Sequence, residues 1–188
     1  MSEEKRLLVV ACPRSGTRSL ARSLLNAGVR CHHEVMGRDG SVSHFLAVDD
    51  YYYAGMHQEG RRDFEFEHIW HQVRNPLHAI PSIAKHITKR SWWHWQEKHT
   101  GVSYDETPLR RAALFWLRWN SLCNDNDPGL TYRIEDAPLD LMGKILGVEM
   151  APLERIRHGV AVEPIGWDEL EELAEPIRLL AKEYGYDG

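Results

Sequence analysis

The run Leu7-Leu8-Val9-Val10-Ala11-Cys12, apolar at every position and followed at once by Pro13-Arg14-Ser15-Gly16, constrains this chain more than any other feature. An unbroken apolar run closed by a turn suits a strand buried on both faces, as in a parallel sheet with helices on each side. From Thr17 the apolar Leu20, Leu24 and Leu25 recur at helical spacing, Arg18 and Arg22 fall on another face, and Gly28 supplies a stop after Asn26. The unit is strand, tight turn, helix. Val29 to Cys31 predicts a short second strand, the alternation from Phe64 to Val73 a third, and Leu130 to Ile134 another. Asn75-Pro76 has the form of an N-cap followed by a first helical residue, so a helix is expected to about Lys89, bent near Pro81. Helical spacing also covers Pro108 to Cys123, Leu139 to Leu146 and Trp167 to Tyr184, whereas residues 35 to 62 give no clear pattern. Strands alternating with helices predict an α/β fold, with a mostly parallel central sheet flanked by helices and residues 1–188 forming one domain.

The formal net charge of -5 argues against a nucleic-acid partner, which calls for a basic footprint, so any anionic ligand needs a local basic site. Three cysteines, Cys12, Cys31 and Cys123, form no CxxC pair and are expected as reduced thiols. The eleven histidines are scattered without a companion carboxylate at ligand spacing, so they are read as surface or core side chains and no metal is expected. His68 and His71 lie in the third strand, where residues three apart face opposite ways. No stretch approaches a membrane span, and Met1 to Arg6 leads straight into the first strand, so the expected setting is the cytoplasm, with no membrane partner.

A loop that leaves a buried strand and enters a helix turns unpaired N–H groups and the positive end of the helix dipole into one small volume. Over Cys12 to Ser19 the residue types all suit an oxyanion. Gly16 lets the backbone approach the ligand, Ser15 and Thr17 offer hydroxyls, and Arg14 and Arg18 add forked cationic donors. Aligned on Gly16, a nucleotide-hydrolysing P-loop would have lysine at Thr17 and its magnesium-binding hydroxyl at Arg18. An arginine there repels the ion, which disfavours a magnesium-ATP enzyme although the expected three-layer sandwich is of the P-loop type.

The stretch Pro13-Arg14-Ser15-Gly16-Thr17 resembles the 5'-phosphosulfate loop of the sulfotransferases, especially the tyrosylprotein and carbohydrate branches, which carry arginine where the cytosolic branch carries lysine. Val73-Arg74-Asn75-Pro76 with Ser82 resembles the same family's 3'-phosphate element. Tyr132 to Asp136 is similar to its strand-end RYED segment, and Trp167 to Tyr186 to its closing helix and Gly-Tyr end. The resemblance implies 3'-phosphoadenosine 5'-phosphosulfate as donor. Ser15, Gly16, Thr17, Arg18 and Ser19 would lie at its 5' end, Arg14 would neutralise the bridging oxygen as the S–O bond breaks, and Arg74 and Ser82 would hold the 3'-phosphate. Ser19 stands where the cytosolic branch has tryptophan, so the adenine-stacking aromatic is left open.

Sulfuryl transfer needs a base for the acceptor hydroxyl. The resemblance puts a glutamate at Glu34, with His32 and His33 as competitors, and partial burial beside these histidines or tryptophans is expected to raise its pKa. Trp92, Trp93 and Trp95 suit either acceptor stacking or the core, and Tyr51 to Tyr53 carry the same ambiguity. The implied activity moves a sulfuryl group to a hydroxyl or amine of a small-molecule, carbohydrate or peptide acceptor. The alternatives are a degenerate P-loop kinase or nucleotide hydrolase and a nucleotide-binding module without catalysis.

Overall fold

The apolar run forms the C-terminal half of β1 (Glu3–Ala11), the central strand of a five-stranded sheet. The computed structural model describes residues 3–50, 61–154, 156 and 161–187. From one edge to the other the strands are β2 (Cys31–His33), β3 (Gly40–Val42), β1, β4 (Phe64–Val73) and β5 (Leu130–Arg133), all parallel. Alternate residues from Leu7 to Cys12 feed two separate cores, which explains why none of these six is charged or strongly polar. Leu7 and Val9 pack with Leu20, Leu24, Trp70, Met142 and Leu146 under α1 (Thr17–Asn26) and, later in the chain, the helix Leu139–Leu146. Leu8, Val10 and Cys12 join the opposite core, with Ile80, Phe115, Trp116, Trp119 and Ile177. That second layer consists of α2 (Pro76–His86), α3 (Arg90–Thr100) and α4 (Pro108–Asn124), closed by the C-terminal helix; α5 is Leu139–Leu146 and α6 is Ala174–Glu183. The architecture is an α/β three-layer sandwich. No helix among the described residues is long and apolar enough to cross a membrane.

Several boundaries move for local reasons. The second strand starts at Cys31 instead of Val29, because the Val29 N–H closes α1 on the Leu24 carbonyl and the Arg30 N–H goes to the Asp39 carboxylate. The unread segment contains β3, whose three residues are too few for alternation to show. Gly40 is essential there, since a Cβ would come 1.7 Å from the Leu7 carbonyl oxygen. Asn75 caps α2 as expected, its side chain accepting the Leu77 N–H at 2.9 Å, and Pro76 opens the helix. That helix ends at His86, short of Lys89. The expected helix from Trp167 to Tyr184 is broken: a 3-10 turn, Asp168–Leu173, with Glu171 at φ 50° and ψ -128°, precedes α6. Pro176 supplies the reason, because it has no N–H for the Glu172 carbonyl and its ring clashes there. Tyr51 to Tyr53 lie outside the described residues.

His71 is fully buried on β4, with its ring nitrogens 3.0 Å from Asn124 Oδ1 and 3.1 Å from Asn120 Oδ1. Burial pulls its imidazole down to about 4 against the opposing effect of both hydrogen bonds. An unfolded histidine titrates near ~6.5, so between these values the unfolded chain holds the extra proton. Stability is therefore full above pH ~6.5 and falls as the pH drops toward 4, by roughly 3 kcal/mol in all. His71→Gln is expected to remove that part of the pH dependence in urea unfolding measured from pH 4 to 7.5. An unchanged wild-type slope in the variant counts against it.

Candidate functional site

The candidate loops leave the sheet at the carboxyl ends of its strands, where open parallel sheets bind ligands, and Ser82 lies on α2, which follows β4. Glu34 follows β2, His44 follows β3, the loop Cys12 to Gly16 follows β1, and Arg74 follows β4. The chain passes from β1 through α1 on one face to the β2 side, and from β4 through α2 and α4 on the other face to β5. The crevice at this change of direction lies beside β1.

The turn is built to be tight. Arg14 and Gly16 both take positive φ, 71° and 84°, and the Ser15 N–H bonds the Cys12 carbonyl at 3.3 Å. Gly16 is the N-cap of α1, and a Cβ on it would meet Ile134 at 3.0 Å. The left-handed backbone and this neighbour together require glycine. Ser15 is fully buried, and its hydroxyl has no hydrogen-bond partner among the described residues. A buried hydroxyl left so costs about 1–3 kcal/mol, which a ligand oxygen at the helix N-terminus would relieve.

The guanidinium groups of Arg74 and Arg18 lie close enough to Arg14, the residue before Ser15, for their charges to act on it. Arg74 Nη1 donates to the Arg14 carbonyl at 2.9 Å, and Arg14 Nε donates to Ser82 Oγ at 3.0 Å. The two motifs read separately in the sequence are thus one cluster. Partial burial, then the charges of Arg74 and Arg18, lower the Arg14 pKa. Ser19 stands apart: its hydroxyl accepts the Ile156 N–H at 3.4 Å.

On the other side of the loop, Thr17 Oγ1 lies 3.0 Å from His33 Nε2, and the same nitrogen is 3.7 Å from Glu34 Oε1. Glu34, at φ 58°, accepts from Ser43 Oγ at 2.8 Å and His44 Nδ1 at 2.9 Å, with its side chain only 12% exposed. The expected burial is present, and it pushes the carboxyl up. The charge and hydrogen bond of His44, the charge of His33 and the Ser43 hydrogen bond outweigh it and bring the group down to about 2. Glu34 is therefore a weakly basic carboxylate, contrary to the raised pKa expected from burial alone. His32 is exposed and shows no such contact.

Sequence reasoning did not anticipate His44, Ser43 or the buried Gln72, whose Nε2 donates to the Ser15 carbonyl at 2.6 Å. A short polar pair after an unread strand and a second polar residue after His71 at the end of an alternating strand were the available signals. Glu135, in the Tyr132 to Asp136 segment, accepts the Asn75 N–H at 3.0 Å and the Tyr186 hydroxyl at 2.7 Å, so it ties the chain's C-terminal end to the edge carrying Arg74. Trp93 and Trp95 are buried among Phe115, Trp119 and Phe45, which accords with the core alternative, while Trp92 is 37% exposed beside Phe45. The surface groove along α5, lined by Leu139, Lys144, Val148 and Met150, shares no residue with this cluster. No group of side chains suited to hold a metal ion occurs among the described residues. No protein-family model, curated protein or solved structure matches the chain.

Proposed function

We propose that this chain is a sulfotransferase that takes 3'-phosphoadenosine 5'-phosphosulfate as donor and a hydroxyl or amine as acceptor, on a small molecule, carbohydrate or peptide. The observation that carries the reading is the convergence of Arg14, Arg74 and Ser82 at the loop that holds the unpartnered, buried Ser15 hydroxyl. The charges of Arg74 and Arg18 both act on Arg14, and such a cluster at the loop of an unsatisfied hydroxyl suits a ligand carrying more than one anionic group. Arg18 stands where a magnesium-binding hydroxyl would be needed, which favours chemistry without a metal. The three cysteines, all buried free thiols, accord with a cytoplasmic setting.

The bound donor would supply an electrophilic sulfur with a phosphate leaving group. Ser15, Gly16, Thr17 and Arg18 would hold its 5' end, and Arg74 and Ser82 its 3'-phosphate. Arg14 would balance the negative charge that develops on the leaving oxygen. Its present bond to Ser82 would be exchanged for bonds to the ligand. At about 2, Glu34 is poorly matched to accept a proton near neutral pH. The imidazole of His33, between the carboxylate and the loop, would take the acceptor proton, and Glu34 would stabilise the imidazolium.

A module that binds the nucleotide without transfer is the second reading, favoured by the low basicity of Glu34. Calorimetry with adenosine 3',5'-bisphosphate and with magnesium-ATP tests the proposal. Micromolar binding of the bisphosphate and weak or no binding of magnesium-ATP is the expected result, and the reverse overturns it in favour of a kinase or nucleotide hydrolase. Turnover of labelled donor with a panel of hydroxyl and amine acceptors then separates the enzyme from the module.

A further inference from the structure

Gln72 is a fully buried amide next to His71 on β4, and both ends of its amide are engaged. Strand register sets Ala11, Gln72 and Tyr132 side by side across β1, β4 and β5. Gln72 and Tyr132 point to the face covered by α1 and α5, as does Trp70 two residues earlier. The Tyr132 hydroxyl donates to Gln72 Oε1 at 2.9 Å, which leaves Nε2 for the Ser15 carbonyl at 2.6 Å. Burial pushes the Tyr132 phenol well up, so it remains a neutral donor throughout the physiological range.

We propose that Gln72, locked by Tyr132, is a positioning residue that turns the Gly16 N–H away from the sheet and toward a bound oxyanion. A trans peptide is planar, with its C=O and N–H pointing in opposite directions, and no cis peptide occurs among the described residues. Pinning the Ser15 oxygen on Gln72 below the loop therefore aims the Gly16 N–H above it. At φ 84° Gly16 is free to adopt either peptide orientation at little steric cost, so the loop itself does not fix this direction. An amide is the fitting side chain because it has a donor end and an acceptor end, and Tyr132 decides which end meets Ser15. Methionine in place of Gln72 would keep the volume and lose the donor.

The inference rests on the anion-site reading of the loop but not on the identity of the nucleotide. The test follows the Gly16 amide in ¹H–¹⁵N spectra of the full chain titrated with inorganic sulfate and, separately, adenosine 3',5'-bisphosphate. Sulfate is expected to shift the wild-type Gly16 resonance downfield. In Gln72→Met and Tyr132→Phe that shift should shrink to less than half, with Thr17 still responding, and affinity should fall about tenfold, the scale of one charge-assisted hydrogen bond. Gln72→Glu adds a pH readout: protonated, it restores a donor and an acceptor, so its affinity should approach wild type at pH 5 and fall at least tenfold behind by pH 8. Either neutral variant, folded by its melting curve, showing the wild-type shift and affinity overturns the proposal. Should Gln72→Met not fold, Tyr132→Phe decides alone. Sulfate binding with no bisphosphate binding in wild type would sink the nucleotide reading and leave this one standing. Bisphosphate binding unaltered in every folded variant would do the opposite, and wild type that binds neither probe would end both.

Discussion

Arg74→Ala is expected to weaken adenosine 3',5'-bisphosphate binding by about 100-fold, since each hydrogen bond to a charged group contributes roughly 1.5–3 kcal/mol and this side chain has two duties. Its fork holds the Arg14 carbonyl at 2.9 Å and under the proposal also grips the 3'-phosphate, so the truncation would remove a ligand contact and release the loop. Arg74→Lys should recover at most about tenfold, because a lysine ammonium is a point donor without the planar fork that serves two acceptors at once. Ser82→Ala, which removes one neutral hydroxyl already satisfied by Arg14, should cost only about three- to tenfold. A thermal measurement gives an independent check. Ligand at about 100 times its dissociation constant stabilises by roughly 2.7 kcal/mol, and for a chain of this size each kcal/mol raises Tm by about 2–4 °C. A rise of roughly 5–10 °C with the bisphosphate is expected in wild type, and it should nearly vanish in Arg74→Ala at the same ligand concentration. Arg74→Ala binding within about threefold of wild type would remove Arg74 from the site.

Much of this cluster was legible in sequence because its parts are local. Strand, turn and helix around Arg14 to Thr17 follow from an apolar run, a glycine and helical spacing, and β4 with its Asn75-Pro76 exit follows from alternation and cap chemistry. What joins them is not local. The Arg14 to Ser82 and Arg74 to Arg14 hydrogen bonds exist because β1 and β4 are neighbours in the sheet, and pairing order is not written in either motif. The same holds for Glu34. Its burial could be expected from its place after a strand, but the direction of its pKa is set by His44, His33 and Ser43, and His44 and Ser43 follow β3, a strand too short to read. The break at Glu171 was readable from Pro176, since helical spacing of Leu170, Leu173 and Ile177 survives a kink that the proline nonetheless requires.

Glu34→Gln should lower the rate of sulfuryl transfer by about 10²-fold, and His33→Asn by about 10³-fold, the range of general acid–base assistance. Both variants should bind the bisphosphate within about threefold of wild type, because the contacts proposed for Arg14, Arg18, Arg74 and Ser82 are left in place. The two differ in their response to pH. With Glu34 at about 2, the carboxylate is fully ionised across any practical assay range and cannot produce an acid limb near neutrality. Any rise of transfer with pH in that range should therefore come from His33 and disappear in His33→Asn. A flat wild-type profile from pH 4 to 8, with His33→Asn close to wild-type rates, would return the proton to Glu34 alone. Normal turnover in Glu34→Gln would take the carboxylate out of the mechanism. Stability separates a structural part for Glu34 from a catalytic one. An unfolded glutamate titrates near ~4.3, above the folded value, so the ionised carboxylate favours the folded state. That contribution, roughly 3 kcal/mol, is full above pH ~4.3 and is lost as the pH falls toward 2. Glu34→Gln should flatten this part of the acid unfolding curve, and a carboxylate that served the fold alone would flatten it without changing the rate.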